Sequence, residues 1–231
     1  MMSADKGDTM RSVLMAMTIG VLGAQTAWAG AWLREEGKLF ASTSATTNQS
    51  RDAAGSFYAE YGWRQDLTLG ADFSFGLDRT GQQTGSGVIF ARFPLAFSGD
   101  THKWAAHVGL GGRYINGLLS PAFETGLSWG RGFQWQERYG WVNIDSSINI
   151  PGAPAQTRIK LDGTIGLGFT DHIKAMGQVF MTYENNDLFT KFAPSLLISP
   201  KSGAYTIQLG AEIPMTGSGE TALKIGFWQS F

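Results

Sequence analysis

The sequence predicts an all-β protein, a closed antiparallel transmembrane β-barrel of about twelve strands, within about two either way, with short loops on both sides. Three observations carry that expectation. The 231 residues include 31 Gly and 13% aromatics but only 16% charged residues, a composition that suits strands rather than helices or disorder. From Lys38 onward, segments of roughly ten residues alternate apolar with small or polar side chains, the period of a strand between two unlike media. Their length also fits, because a bilayer needs roughly 9–11 tilted residues per strand whereas globular strands average roughly 5–6.

Taken in order, the chain reads as a leader over residues 1–29 and one barrel domain over residues 30–231. Arg11 precedes an apolar stretch from Val13 to Ala24, and Ala27-Trp28-Ala29 supplies the small-x-small pattern of a signal-peptidase site. That stretch is too short to span a bilayer as a helix. Residues before Met10 fit no signal pattern, so Met10 is an alternative start. Cleavage after Ala29 gives a mature chain beginning Gly30-Ala31-Trp32.

The first clear strand, residues 55–64, sets Phe57, Ala59, Tyr61 and Trp63 against Ser56, Tyr58, Glu60 and Arg64. Residues 67–78 give the cleanest split, with Leu67, Leu69, Ala71, Phe73, Phe75 and Leu77 on one face and Thr68, Gly70, Asp72, Ser74, Gly76 and Asp78 on the other. Residues 103–114 oppose Trp104, Ala106, Val108, Leu110 and Tyr114 to Lys103, His107 and Arg113; residues 158–169 oppose Ile159, Leu161, Ile165 and Leu167 to Lys160, Asp162 and Thr164. Residues 205–213 oppose Tyr205, Ile207, Leu209, Ala211 and Ile213 to Thr206, Gln208 and Glu212. Weaker segments lie near 38–47, 87–97, 121–131, 140–149, 173–184, 188–198 and 220–231.

The bulky face is assigned to lipid. The other face is rich in Gly and Ser and lacks the Lys/Glu crowding of a soluble surface. Trp63, Trp104, Trp129, Tyr139, Trp141, Tyr183 and Tyr205 gather near strand ends, as an interfacial girdle does. On one side the predicted turns are Gln65-Asp66, Thr170-Asp171, Ser202-Gly203 and an irregular turn over residues 132–139. On the other they are residues 48–54, 79–86, 115–120, 151–155, 184–187 and 216–219, none long enough to form a plug.

The final segment, ETALKIGFWQSF, places Leu223, Ile225, Phe227 and Phe231 on one face, interrupted by Gln229. Here the chain resembles the bacterial outer-membrane β-barrel family, whose last strand typically ends in an aromatic residue. Residues 159–179, with their short TDH turn, are similar to hairpins of porin-like barrels in Gram-negative bacteria, a likeness that carries no activity. The resemblance implies export through the periplasm to the outer membrane. It further implies outer-membrane lipids and the barrel insertion machinery as partners, with Phe231 as the assembly signal.

Several function classes are excluded or disfavoured. A net charge of −1 does not suit an electrostatic nucleic-acid binder. The absence of Cys excludes disulfides, thiol catalysis and Cys-based metal sites. Neither H-x-x-x-H nor EF-hand spacing occurs, so no metal or other cofactor is expected. Gly126-Leu127-Ser128-Trp129-Gly130 matches the G-x-S-x-G nucleophile pattern but sits within an alternating segment, without the following helix that exposes the serine. A lipid hydrolase would need a Ser–His pair facing lipid, yet His107 has lumen parity while His102 and His172 fall in or beside turns.

The lumen remains. By parity it gathers Arg92, Lys103, Arg113, Lys160, Lys174, Lys191 and Lys224, with Glu60, Asp72, Glu124, Asp145, Asp162, Glu184 and Glu212 opposing them, and His107 between. These charges either pair across a narrow interior or set the selectivity of a pore. The inward Gly70, Gly76, Gly109, Gly111, Gly166, Gly168 and Gly210 are expected to leave space for water. The function expected is therefore a narrow porin-like channel for passive passage of small polar solutes. A non-conducting structural barrel is the alternative, and a lipid hydrolase the third reading. Seven cations facing seven anions predict weak ion selectivity.

Overall fold

The computed structural model describes residues 30–152, 156–201, 203 and 205–231. The predicted leader, residues 1–29, lies outside the described residues, as do parts of the turns at 151–155 and Ser202-Gly203. Twelve antiparallel strands form one closed barrel: β1 Leu39–Thr47, β2 Ala53–Arg64, β3 Leu67–Leu77, β4 Gln83–Pro94, β5 His102–Ile115, β6 Leu118–Trp135, β7 Arg138–Pro151, β8 Arg158–Gly168, β9 Ile173–Glu184, β10 Asp187–Ile198, β11 Tyr205–Pro214 and β12 Ala222–Ser230. Each strand pairs with its sequence neighbours, and β1 closes on β12 from Phe40 opposite Ser230 to Thr47 opposite Leu223. Phe231 completes that seam, its N–H donating to the Leu39 carbonyl at 2.8 Å and the Leu39 N–H returning a bond at 3.2 Å. Closure leaves no open edge, the condition for sheet backbone to lie in hydrocarbon.

The strands run further into the turns than alternation alone suggested. Asn116-Gly117 and Asn185-Asn186 make two-residue hairpins with φ of 45° and 92°, and of 56° and 64°. These are the left-handed conformations that match the twist of the flanking strands, and Asn and Gly tolerate them best. The irregular turn expected at residues 132–139 is instead a continued ladder. Phe133 pairs with Gly140 and Trp135 with Arg138, so only Gln136-Glu137 turns. Alternation simply persists there, and β6 and β7 follow it beyond the other hairpins.

The outward face is apolar and bare. Phe75 and Ile89 are each 67% exposed, and Leu110 and Leu223 each 71%. A belt of such residues around the whole barrel is a lipid-facing surface.

The inward face departs from expectation on two points. It is small and polar along β3, yet elsewhere it carries Phe40, Phe90, Met176 and Leu197, all buried. Trp141, read from the sequence as a girdle residue, is likewise only 5% exposed and packs with Met176, Leu197, Trp32 and Trp228. Second, most of the inward glycines do not leave water-filled space. The Phe90 ring occupies the place a side chain at Gly70 would take, the Trp141 ring does the same at Gly166, and Ser195 does so at Gly210. A glycine bares its stretch of pleat, and the large neighbour across the ladder lies down on it.

Candidate functional site: the lumen

The barrel has an inner rim, which carries Leu39 and Phe231, and an outer rim opposite. At the inner rim a short strap precedes β1. Glu36 bridges Gly62 in parallel, the Gly37 N–H donates to the Gly62 carbonyl at 2.8 Å, and the Gly62 N–H donates to the Lys38 carbonyl at 3.0 Å. A side chain at position 62 would collide with the Glu35 carbonyl, so only glycine lets the strap cross β2 so closely. From there the strap turns into the lumen. The Arg34 N–H donates to Thr68 Oγ1 at 2.9 Å, the Ala31 N–H donates to Asn143 Oδ1 at 3.3 Å, and the Trp32 ring covers Gly130.

Glu60 on β2 is the hub of this floor and is 0% exposed. It accepts hydrogen bonds from the Tyr58 hydroxyl at 2.6 Å, from Arg34 Nε at 2.7 Å and from Arg92 Nη1. Arg34 also lies over the Phe40 ring at 4.4 Å, and Arg92 lies near that of Phe90 at 5.0 Å. The buried carboxylate is thus matched by two guanidiniums and a phenol, which is how a charge persists away from water.

Above the floor is a cavity of about 190 Å3, with Gly30, Asp72, His107, Glu124, Asp145, Lys160 and Asp162 in its wall. His107 Nε2 stands 3.7 Å from Glu124 Oε1, and the Asn149 carboxamide donates to Glu124 Oε2 at 3.2 Å. A waist follows, where Asp72, Val88, Arg113, Asn149 and Arg158 enclose only about 10 Å3. The outer vestibule then widens to about 360 Å3, and its hydroxyl lining includes Ser44, Thr46, Ser56, Ser74, Thr84 and Ser86. Two charge clusters stand in it. Glu184 is held by Arg113 at 2.6 Å and Arg158 at 2.8 Å, while Glu212 is held by Lys191 and Lys224, each at 3.3 Å.

The residues expected in the lumen therefore fall into tiers. Glu60, Arg92, His107 and Asp145 lie low, Asp72, Glu124, Lys160 and Asp162 in the middle, and Arg113, Glu184, Lys191, Glu212 and Lys224 near the outer mouth. Two stand apart. Lys103 reaches toward Asp100, 3.9 Å away, and Lys174 lies at the inner rim opposite Gly168 and Leu197. Sequence reasoning missed two cations. Arg158 shares the parity of Lys160 and could have been found by it, whereas Arg34 precedes the first strand, where no period exists to read.

Segregation changes the electrostatics. The balance of cations and anions holds in total but not by position. The outer mouth sets Arg113, Arg158, Lys191 and Lys224 against Glu184 and Glu212. The floor and middle set Glu60, Asp72, Glu124, Asp145 and Asp162 against Arg34, Arg92 and Lys160. The mouth is basic and the interior acidic.

The serine of the G-x-S-x-G match lies in mid-β6, buried, opposite Asp145 in the ladder. His107 meets Glu124 rather than a hydroxyl, Nδ1 of His102 accepts from the Trp129 indole at 3.1 Å, and Nδ1 of His172 lies 3.1 Å from the Ser199 carbonyl. No Ser–His hydrogen bond forms among the described residues. At the outer rim, Ser50 ties two loops by donating to Glu220 at 2.6 Å, and the Arg79 N–H donates to Asp52 at 2.8 Å. Hydrogen bonds from the Asn48 carboxamide and the Arg79 amide hold the Asp52 carboxyl below its usual range.

No protein-family model matches the chain, and no curated protein matches it in sequence. Solved structures do. The KdgM porin superposes with a TM-score of 0.57 at 8% identity, covering 83% of this chain and 99% of its own. LpxR from Salmonella typhimurium gives 0.55 at 7% identity over 83% and 99%. The NanC porin gives 0.52 at 10% identity over 83% and 98%. At such identities the likeness is one of architecture, and by that architecture the chain has the fold of the bacterial outer-membrane β-barrels.

Proposed function

We propose that this barrel is a narrow, porin-like outer-membrane channel for small polar solutes, with a basic outer mouth that favours anions and an inner end closed by the strap of residues 30–38. The observation that carries the reading is the hydroxyl-lined outer vestibule of about 360 Å3, where four basic side chains face two carboxylates. A pore wall of one prevailing sign concentrates the opposite ion and rejects its own. Beyond its backbone bridge to Gly62, the strap is held by side-chain bonds and an ion pair rather than by a strand ladder, so residues 30–35 are the part of the lumen able to move without unbuttoning the barrel. The filled floor favours one competing reading, a structural barrel that carries no current.

Planar-bilayer recording of the refolded chain 30–231, and of a chain lacking residues 30–36, separates the two. Anion-selective current is expected, larger in the shortened chain. Lys191→Gln should lower the anion preference without measurable loss of stability, since Lys191 is half exposed and such a pair contributes about 0–1 kcal/mol. Arg113→Ala should shift selectivity the same way, leaving Glu184 with Arg158. Silence from both the full and the shortened chain would leave the structural barrel.

Assembly provides a separate check. Phe231 is exposed on the outward side and closes the seam with Leu39. Phe231→Asp is expected to lower the heat-modifiable protein in outer membranes several-fold while refolding in detergent stays near normal. Equal membrane levels for variant and parent would remove Phe231 as the element read by the insertion machinery.

A further inference from the structure

We propose that the α-amino group of Gly30, released by signal-peptidase hydrolysis of the Ala29–Gly30 bond, is the ion-pair partner of Asp145 and latches the strap inside the barrel. The hydrolysis consumes one water. It leaves a carboxylate on Ala29 and, near neutral pH, an ammonium on Gly30.

Asp145 is a buried carboxylate with half its bonding unmet. Its Oδ2 is taken by the Asn143 carboxamide, whereas Oδ1 is shielded from water and has no partner. The nearby cation, Arg92, gives its Nη1 to Glu60 and Tyr58 and makes no hydrogen bond to Asp145, its own Nε also being buried without a partner. Ser128, directly opposite in the ladder, makes no hydrogen bond of normal geometry to Asp145, and its hydroxyl is equally unpartnered. A buried carboxylate oxygen in this state calls for a donor, preferably a charged one.

Gly30 stands against that oxygen. A side chain at position 30 would collide with Asp145 Oδ1 and come within 2.7 Å of both polar atoms of the Asn143 carboxamide. The backbone nitrogen is one bond from that α-carbon. That collision reserves the position for glycine. The small-x-small site Ala27-Trp28-Ala29 ends immediately before it. Gly30 also lines the inner cavity of about 190 Å3, whose wall includes Asp72, Glu124, Lys160 and Asp162. An ammonium with three donors suits such a wall, and a continuing apolar leader does not. The new charge also adds a cation to the acidic interior tier. The strap would then be fixed at both ends, by the ladder of β1 and by its own terminus, with Arg34 on Glu60 between them.

The test uses the protein purified from outer membranes. Mass spectrometry is expected to find Gly30 as its first residue. An amine-selective acylating reagent near neutral pH then compares the folded barrel in detergent with the heat-denatured chain. There the α-amine, with an ordinary pKa of roughly 7.7–8.0, reacts ahead of the lysines. Gly30 should react at least about tenfold more slowly in the folded barrel, because an ion-paired ammonium sheltered from the reagent gives up its proton less readily. Asp145→Asn should lose most of that protection while keeping its heat-modifiable migration. A second arm needs no mutation: acetylating Gly30 in the denatured chain before refolding should leave Trp32 more open to a soluble quencher. A terminus other than Gly30, equal acylation rates in folded and denatured chains, or unchanged quenching after acetylation would overturn the latch. None of these readouts requires current, so a silent bilayer bears on the channel and not on this pairing.

Discussion

Glu60→Gln is expected to be the most damaging single change in the lumen, destabilising the barrel by about 3–5 kcal/mol, the cost of stripping one partner from a buried ion pair. The substitution keeps the shape but removes the carboxylate that bonds both Arg34 and Arg92, each well buried. Two guanidiniums would then face each other with a neutral amide between them. The strap loses its main anchor at the same time, because Arg34 reaches the wall through Glu60 and through a backbone bond to Thr68. Urea unfolding in detergent should show the lost stability. Bilayer recording should show larger or more frequent openings, since the floor is released. Glu212→Gln is the control. It also has two cationic partners, but it opens onto the vestibule and Lys191 there is half exposed, so water can replace part of the lost charge and a clearly smaller cost than at position 60 is expected. Equal losses at positions 60 and 212 would mean that the floor is as wet as the vestibule.

Phe73→Arg should cost roughly 2–4 kcal/mol, the range for a basic residue on the lipid face near the bilayer midplane. Phe73 points outward from the middle of β3, stacks near Phe57 with ring centroids 6.4 Å apart, and covers the bare backbone of Gly87. Arginine would leave that glycine uncovered and place a cation in hydrocarbon. Asp72→Asn, one residue away on the opposite face, should cost less than about 1 kcal/mol, because Asp72 faces the cavity and forms no ion pair within 4 Å among the described residues. Unfolding of both variants in lipid vesicles reads the contrast directly. A neutral Phe73→Arg would place this face in water and remove the membrane assignment.

Much of this molecule could be read from its residues in order, and the reason is local. A strand has a period of two, so each segment declares its own two faces, and a turn declares itself through residues that tolerate positive φ. That is why Leu69, Phe73 and Phe75 were assignable to one medium and Asp72 and Ser74 to the other without any knowledge of neighbours. The hairpins at Asn116-Gly117 and Asn185-Asn186 follow from the same kind of information. Reading failed where that period gives no warning. Trp141 looks like an interfacial tryptophan because it is large and near a strand end, yet its ring fills the gap over Gly166, a partner defined only by the β7–β8 register.

Strand number, faces and most turns were thus determined by the chain itself, because each depends on residues within a few positions of one another, the ladder through residues 132–139 being the exception. Which charges meet was decided by closure and register. Glu60 joins Arg34 and Arg92 from 26 and 32 residues away, and Arg113 meets Glu184 across the lumen. The strap belongs wholly to the second category. Residues 30–38 have no alternation to announce them, and residues 30–34 lie in the lumen because Glu60, Thr68 and Asn143 on three separate strands converge there to satisfy their polar groups. A polar group withdrawn from water needs a partner, and only the closed barrel determines which partners are within reach.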